Sequence, residues 1–225
     1  AQHRLATLYV ADGKIRMLPR VLADEVASLK AGASRPVLTF MLRWGKDGRL
    51  LETDIFEATC VVDRRLGYET TDFILSGGDP LDDAAAMLEQ AEFWMECHAK
   101  SRHATGAMSF PREEVHFSVD DKGHVSVVAS DPDGRARQLV AEMMVTLGAC
   151  VGAFCRERDI PAIYRSQKPV DVELPDAPVT DPYERYRILR QLEPTKPTVI
   201  PAPHGTLGLA AYVQVTSPIR RWPDL

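Results

Sequence analysis

HGTLGLAAYVQVTSPIRRWPD, residues 204–224, is the stretch on which the reading of this chain turns, and its last part carries chemistry that can be built up residue by residue. Ser217-Pro218 predicts a helix start, because serine is a preferred N-cap and proline at the first helical position has no N–H to waste. The free N–H groups and positive dipole end of such a start would face an anion. Arg220 and Arg221 add two permanent charges whose planar forks match phosphate oxygens. From these residues alone, Thr216 to Arg221 read either as a phosphate site or as an ordinary solvated helix start.

Taken whole, residues 204–224 resemble the signature of the ribonuclease II (RNB) family: a histidine, a Gly-Leu pair, a tyrosine, then Thr-Ser-Pro-Ile-Arg-Arg/Lys-aromatic-x-Asp. A second match lies at the front, where Tyr9 precedes Ile15-Arg16-Met17-Leu18-Pro19, Leu22, Ser28 and Leu29. A third is Ile163-Tyr164-Arg165, after a long apolar helix. The three are collinear and span nearly the whole chain. There are departures: Gly205-Thr206 for Phe-Gly, Trp222 for tyrosine, Gly148 for asparagine, and Ser166-Gln167 for Val-His.

The resemblance implies an α+β, RNB-type catalytic domain with a mixed or antiparallel sheet and packed helices, residues 1–225 being a piece of it cut at both ends. It implies a 3′→5′ exoribonuclease that hydrolyses single-stranded RNA to nucleoside 5′-monophosphates. The Mg2+ is expected on aspartates upstream of Tyr9. OB-fold or helical RNA-binding domains are expected to flank it. The departures keep a second reading open, a catalytically inactive RNB domain that binds RNA.

The same resemblance assigns roles. Arg220 would stand beside the scissile phosphate and stabilise charge building on its oxygens; the plain alternative is an ion pair with Asp224, four residues on. Thr216, Ser217 and Arg221 would position a phosphate. Tyr9 and Phe110 would stack on the last bases; the alternative for Tyr9 is a strand tyrosine packed on the core, and for Phe110 a local alignment shifted by one residue. Arg165 would meet a backbone phosphate or pair with the acidic loop that follows. Glu142 would face the RNA or be a core-edge carboxylate. His204, with no base partner near it in sequence, reads as structural or sugar-contacting. Asp79, Asp82 and Asp83 imitate a metal cluster but open an amphipathic helix, where acids need no metal to explain them.

Composition bounds the rest. The chain has 225 residues, 45% of them hydrophobic, enough for a sizeable core in one or two domains. No uninterrupted apolar run approaches the ~18–20 residues of a bilayer span, and no signal-peptide pattern opens the sequence. Cys60, Cys97, Cys150 and Cys155 lack metal spacing and read as reduced thiols of a cytoplasmic protein. A net charge of −5 excludes RNA binding by bulk positive charge but allows a local basic channel.

Periodicity predicts hairpins over 36–62 and 115–127, helices over 82–100 and 135–158, a short strand over 162–165, and a short helix opened by Asp181-Pro182. Residues 168–181 and 195–203, rich in proline, read as loops.

Overall fold

The computed structural model describes residues 5–10, 13–109, 114–130, 134–169 and 181–224. In chain order its elements are strands β1 (Leu8–Val10), β2 (Gly13–Ile15), β3 (Ser34–Trp44) and β4 (Leu50–Val61), helices α1 (Tyr68–Leu75) and α2 (Ala85–Ala104), strands β5 (Glu114–Val119) and β6 (Val125–Ser130), helix α3 (Arg135–Glu157), strand β7 (Tyr164–Ser166), helix α4 (Pro182–Leu189) and strand β8 (Lys196–Thr198). Every described strand ladder is a two-stranded antiparallel ribbon: β1–β2, β3–β4, β5–β6 and β7–β8. The α+β class read from the sequence is what the chain adopts.

The chain forms two compact units, each assembled from separated segments. The first holds residues 1–89, 112–138 and 215–225; the second holds 90–111 and 139–214.

In the first unit, β3 and β4 pair from Ser34↔Val61 to Trp44↔Leu50, with a register shift at Arg43/Trp44. Gly48 takes a positive φ of 80° in the connecting turn, as the Gly-Lys-Asp-Gly sequence led one to expect. The β5–β6 ladder places Phe117 opposite Val127 and Val119 opposite Val125, the alternation visible in the sequence.

Helix α1 escaped the sequence reading because it is only eight residues long and buries just Thr71, Ile74 and Leu75, spaced three and four, while Tyr68 and Phe73 stay exposed. Its Asp72 reaches the start of α3, where its Oδ1 accepts a 2.7 Å bond from the Ala136 N–H. Asp72 thereby satisfies one of the open donors that every helix start exposes. The Arg135 guanidinium donates in return to the Leu75 carbonyl at the end of α1.

Two further differences have local causes. The acidic run before α2 is bound by Arg64, whose Nη1 and Nη2 donate to Asp82 at 2.9 and 2.6 Å and whose Nη1 also reaches Asp83 at 2.8 Å. With help from the Ala84 amide, Arg64 holds the Asp82 carboxyl down to about 2. Strand β8 falls inside the proline-rich stretch read as a loop. Its three-residue ladder survives Pro197 because β8 is paired through β7 alone.

In the second unit the core gathers on α3, where Leu139, Thr146, Cys150, Val151 and Cys155 are buried. Among the described residues α3 is the one helix long and apolar enough to cross a membrane, with a mean hydropathy of 1.6 over eighteen residues. Glu142 interrupts its apolar run, so reading for uninterrupted runs passed over it. That carboxylate is ion-paired to Arg102 of α2, which gives α3 the pattern of a helix packed against protein.

Asp181 caps α4 as predicted, its Oδ1 accepting from the Tyr183 N–H at 3.1 Å with Pro182 in the first turn.

Asp72→Ala should lower the unfolding free energy by about 1 kcal/mol, the usual cost of losing a helix cap. Urea unfolding measures it. Asp72→Asn, which keeps the acceptor, should recover most of the loss.

Candidate nucleic-acid interface

The first unit brings together the two ends of the sequence match. The Thr7 N–H donates to the Arg220 carbonyl at 3.2 Å, the Trp222 N–H donates to the Leu5 carbonyl at 2.9 Å, and Ala6 bridges Arg221 in antiparallel sense. Leu5–Thr7, the run leading into β1, is thereby paired with Arg220–Trp222. Tyr9 follows two residues later, on a strand whose partner position is Lys14. Its side chain is 65% exposed, so the ring is presented to solvent and not packed as a core aromatic.

The same pairing corrects the reading of Ser217. Pro218–Arg220 is a single 3-10 turn, not the start of an α-helix, and Ser217 makes no side-chain cap bond. Two causes act. Ser217 sits in the left-handed region (φ 58°, ψ 47°) instead of the extended conformation of an N-cap. Arg221 is drawn into extended geometry (φ −134°, ψ 126°) by its bridge to Ala6, which stops the helix after one turn. A macrodipole therefore contributes nothing here. Positive charge at this place comes from the arginine side chains. Ser217 and Asp159 are the non-glycine residues at positive φ among those described, and Ser217's strained backbone fixes the turn that carries Arg220.

Arg220 is exposed, and among the described side chains, which do not include that of Asp224, its guanidinium makes no hydrogen bond or ion pair. Arg221 is half-buried and turns inward, its Nη2 donating to the Thr216 carbonyl at 2.9 Å. Within this unit, then, the structure groups Tyr9, Thr216, Ser217, Arg220 and Arg221, and Arg220 is the exposed charge among them.

The second unit holds the rest of the signature in a polar lattice. Arg102 is the central donor. Its Nε donates to Glu142 Oε1 at 2.8 Å, its Nη2 to Oε2, and its Nη1 to the Leu207 carbonyl at 2.8 Å. His98 Nδ1 lies 2.6 Å from the same Glu142 oxygen. Burial pushes the Glu142 carboxyl up, but the bonds from His98 and Arg102 outweigh it and hold the group below its ordinary value. Glu142 is buried with both oxygens engaged, so of its two sequence readings the core-edge carboxylate is the one this geometry accounts for. The Thr105 hydroxyl adds a 2.8 Å bond to the Gly208 carbonyl, and the Met108 N–H adds one of 3.0 Å to Thr206.

Three of the departures from the family pattern, Gly205, Thr206 and Gln167, bond to one another. Gln167 Oε1 accepts from both the N–H and the hydroxyl of Thr206, at 3.0 and 2.5 Å, and its Nε2 donates to the Glu193 carbonyl at 2.7 Å. Gly205 is needed because a Cβ there would run into the Lys168 backbone. Gly148 is needed because a Cβ would overlap the Tyr212 ring and stand 2.8 Å from the Val213 carbonyl oxygen. His204 is buried, edge-on to Tyr212 with ring centroids 5.7 Å apart. Burial pushes its imidazole below the ordinary value and the charge of Arg165 adds to that, both favouring the neutral ring. Arg165 is fixed through its backbone N–H to the Tyr212 carbonyl at 2.8 Å, while its half-buried guanidinium makes no bond with a described residue. Phe110 lies outside the described residues.

The signals that sequence reasoning missed are Arg102 and His98. They stand at i and i+4 on α2 and are polar positions in an otherwise apolar face, which is the mark of a buried partner on another element.

Comparison with known proteins accounts for this arrangement. The chain belongs to the RNB domain family, whose model matches residues 1–225. It is 31% identical over 229 residues to an uncharacterized ribonuclease of Synechocystis sp., covering all of this chain and 34% of that protein. It is 28% identical over 263 residues to exoribonuclease 2 of Edwardsiella piscicida, covering all of this chain and 40% of that one. The chain thus spans about a third to two fifths of the length of the curated relatives it matches. Its fold is that of Mycoplasma genitalium RNase R in complex with double-stranded RNA, with a TM-score of 0.84 at 20% identity over 99% of this chain and 46% of that one. The fold is shared as well by yeast Ssd1, a pseudonuclease, at a TM-score of 0.70 and 15% identity over 98% of this chain and 31% of that one.

Two outcomes follow for the second unit. Arg102→Met should cost about 3–5 kcal/mol, because it strands a buried carboxylate, and adding Glu142→Leu should return much of that loss. A double-mutant cycle by urea unfolding at pH 7 reads the coupling. Since the folded Glu142 pKa is depressed, its contribution is present above the unfolded value of about 4.3 and fades as pH falls through the folded value, so the gap between wild type and Arg102→Met should close in acid. Gly148→Ala should cost roughly 1–3 kcal/mol by overpacking against Tyr212, and a melting curve checks it.

Proposed function

We propose that this chain is part of a 3′→5′ exoribonuclease that hydrolyses single-stranded RNA and releases nucleoside 5′-monophosphates. The observation that carries the reading is the backbone pairing of Leu5–Thr7 with Arg220–Trp222, which sets an exposed guanidinium and an exposed aromatic ring in one unit of an RNB domain. In this reading Arg220 stabilises charge on the phosphoryl oxygens as the bond to the leaving nucleotide breaks. Tyr9 stacks on a terminal base without reading its identity. Thr216, Ser217 and Arg221 hold the turn and a neighbouring phosphate, Arg165 meets the backbone of the RNA, and Phe110 stacks on a further base. Glu142 keeps Arg102 in place within the second unit. The four free thiols accord with a reducing cytoplasmic setting.

Magnesium belongs to this proposal as the family's cofactor, but the described residues do not fit it. No group of three or more His, Cys, Asp or Glu side chains among them is placed to hold a metal ion, and Asp82 and Asp83 are engaged by Arg64. The ligands would lie outside the described residues, which themselves supply the charge of an arginine and the face of an aromatic ring. The second reading, a domain that binds RNA without cutting it, is favoured by the shared fold with a pseudonuclease. Incubating the intact protein with 3′- and 5′-labelled RNA, with and without magnesium, separates the two: mononucleotide release from the 3′ end supports the nuclease, and bound but undegraded RNA supports the binding module.

In the intact protein Arg220→Ala should lower single-turnover cleavage by about 10²–10³-fold, corresponding to the roughly 2.7–4 kcal/mol carried by one charge-stabilising donor. RNA affinity should change far less, and Arg220→Lys should restore only part of the rate because ammonium lacks the planar fork. A rate within about threefold of wild type removes Arg220 from the chemistry.

Tyr9→Ala should leave long RNA degraded at a near-normal rate but end on longer limit products, since one stacking contact of roughly 1–3 kcal/mol matters most when few nucleotides remain. Tyr9→Phe should match wild type. Gel resolution of the limit products, beside a melting curve to detect misfolding, gives the answer.

A further inference from the structure

Helix α4 carries an arrangement that this catalytic reading leaves unused. Its inward side is Ile188, which is buried, with Arg185 and Leu189 half-buried beside it. The opposite side presents Tyr183, Tyr186, Arg187 and Arg190, spaced at i, i+3, i+4 and i+7 and therefore on one face. Tyr183 is 65% exposed and Tyr186 is 55% exposed. The face is also held in place. Asp181 caps the helix, the Arg190 N–H closes it on the Tyr186 carbonyl at 3.0 Å, Glu184 fixes Arg187 through its Nη1 at 2.9 Å, and the Arg190 guanidinium lies over the Tyr186 ring at 5.9 Å from its centroid. The rings stand about one helical turn apart, ~5 Å along the axis.

We propose that this face of α4 is a second contact surface for single-stranded RNA, with Tyr183 and Tyr186 stacking on two bases and Arg187 and Arg190 meeting the phosphates beside them. The proposal rests on the reading of the protein as RNA-directed. Two features point to this ligand. The exposed stripe pairs aromatic faces with guanidinium groups, the combination that suits a strand of stackable bases joined by anions. The stripe carries positive charge as well, from Arg190 and from Arg187 beside its partner Glu184, in a chain whose net charge is −5. Such a surface grips the body of an RNA in any sequence while its end is elsewhere.

The test measures binding in EDTA, so that no cleavage intervenes, by fluorescence anisotropy of the protein with a 5′-fluorescein 12-nucleotide oligouridylate. Tyr183→Ala/Tyr186→Ala should weaken binding about tenfold or more. Arg187→Gln/Arg190→Gln should reduce the slope of log K against log salt by about one to two units. All four side chains face solvent, so unchanged circular dichroism and melting temperature are expected in both variants. The same oligonucleotide bearing 5-iodouridine should photo-crosslink to Tyr183 or Tyr186. The proposal is overturned by affinities within twofold of wild type in both variants, by adducts confined outside residues 182–190, or by a wild-type protein that binds no RNA. Failure of the nuclease reading shows separately, as RNA that stays intact in magnesium while this binding persists.

Discussion

The guanidinium of Arg102 is the interaction on which the second unit depends. It comes from α2, spends two nitrogens on a carboxylate of α3 and a third on a carbonyl of the Gly205–Leu207 turn. An isolated buried charge of either sign would be prohibitive, and a buried ion pair by itself is a weak source of stability. What this pair supplies is placement. A forked donor with three fixed targets admits one relative setting of two helices and a turn, and that turn begins the stretch that marks the family. Thr105, Met108 and Gln167 then satisfy the remaining carbonyls and donors of the same turn.

How much of this was legible in the sequence follows the reach of each signal. The hairpins β3–β4 and β5–β6, the helix α3 and the Asp181 cap of α4 are local patterns, and they appear where periodicity and turn residues put them. Ser217-Pro218 looked like a helix start for equally local reasons and was overruled by a partner far away in sequence, because Arg221 is committed to Ala6. No local rule contains that information. Helix α1 and strand β8 were missed for a milder version of the same cause, having short apolar signals that acquire meaning only once a neighbour covers them.

The candidate site divides along the same line. The identities of Arg220 and Tyr9 were carried by motif, while their shared unit and their exposure required the fold. The departures at Gly148, Gly205, Thr206 and Gln167 looked in sequence like scattered losses. In the structure Thr206 and Gln167 bond to each other, and the two glycines make room for backbone and ring that press on them. Gly205, Thr206 and Gln167 thus belong to one bonded turn, while Gly148, on α3, makes room for Tyr212.

The pairing of Leu5–Thr7 with Arg220–Trp222 has a consequence in time. Contacts between residues this distant are the last a chain can make, since loop closure must be met before they return anything. On a ribosome, residue 5 emerges early and waits for residue 222 to be synthesised, at some 5–20 residues each second. Through that interval the run leading to Tyr9 has no strand beside it, and Arg220 does not yet exist. The chain therefore passes that interval with Leu5–Thr7 unpaired, and Tyr9 and Arg220 come into one unit only after it.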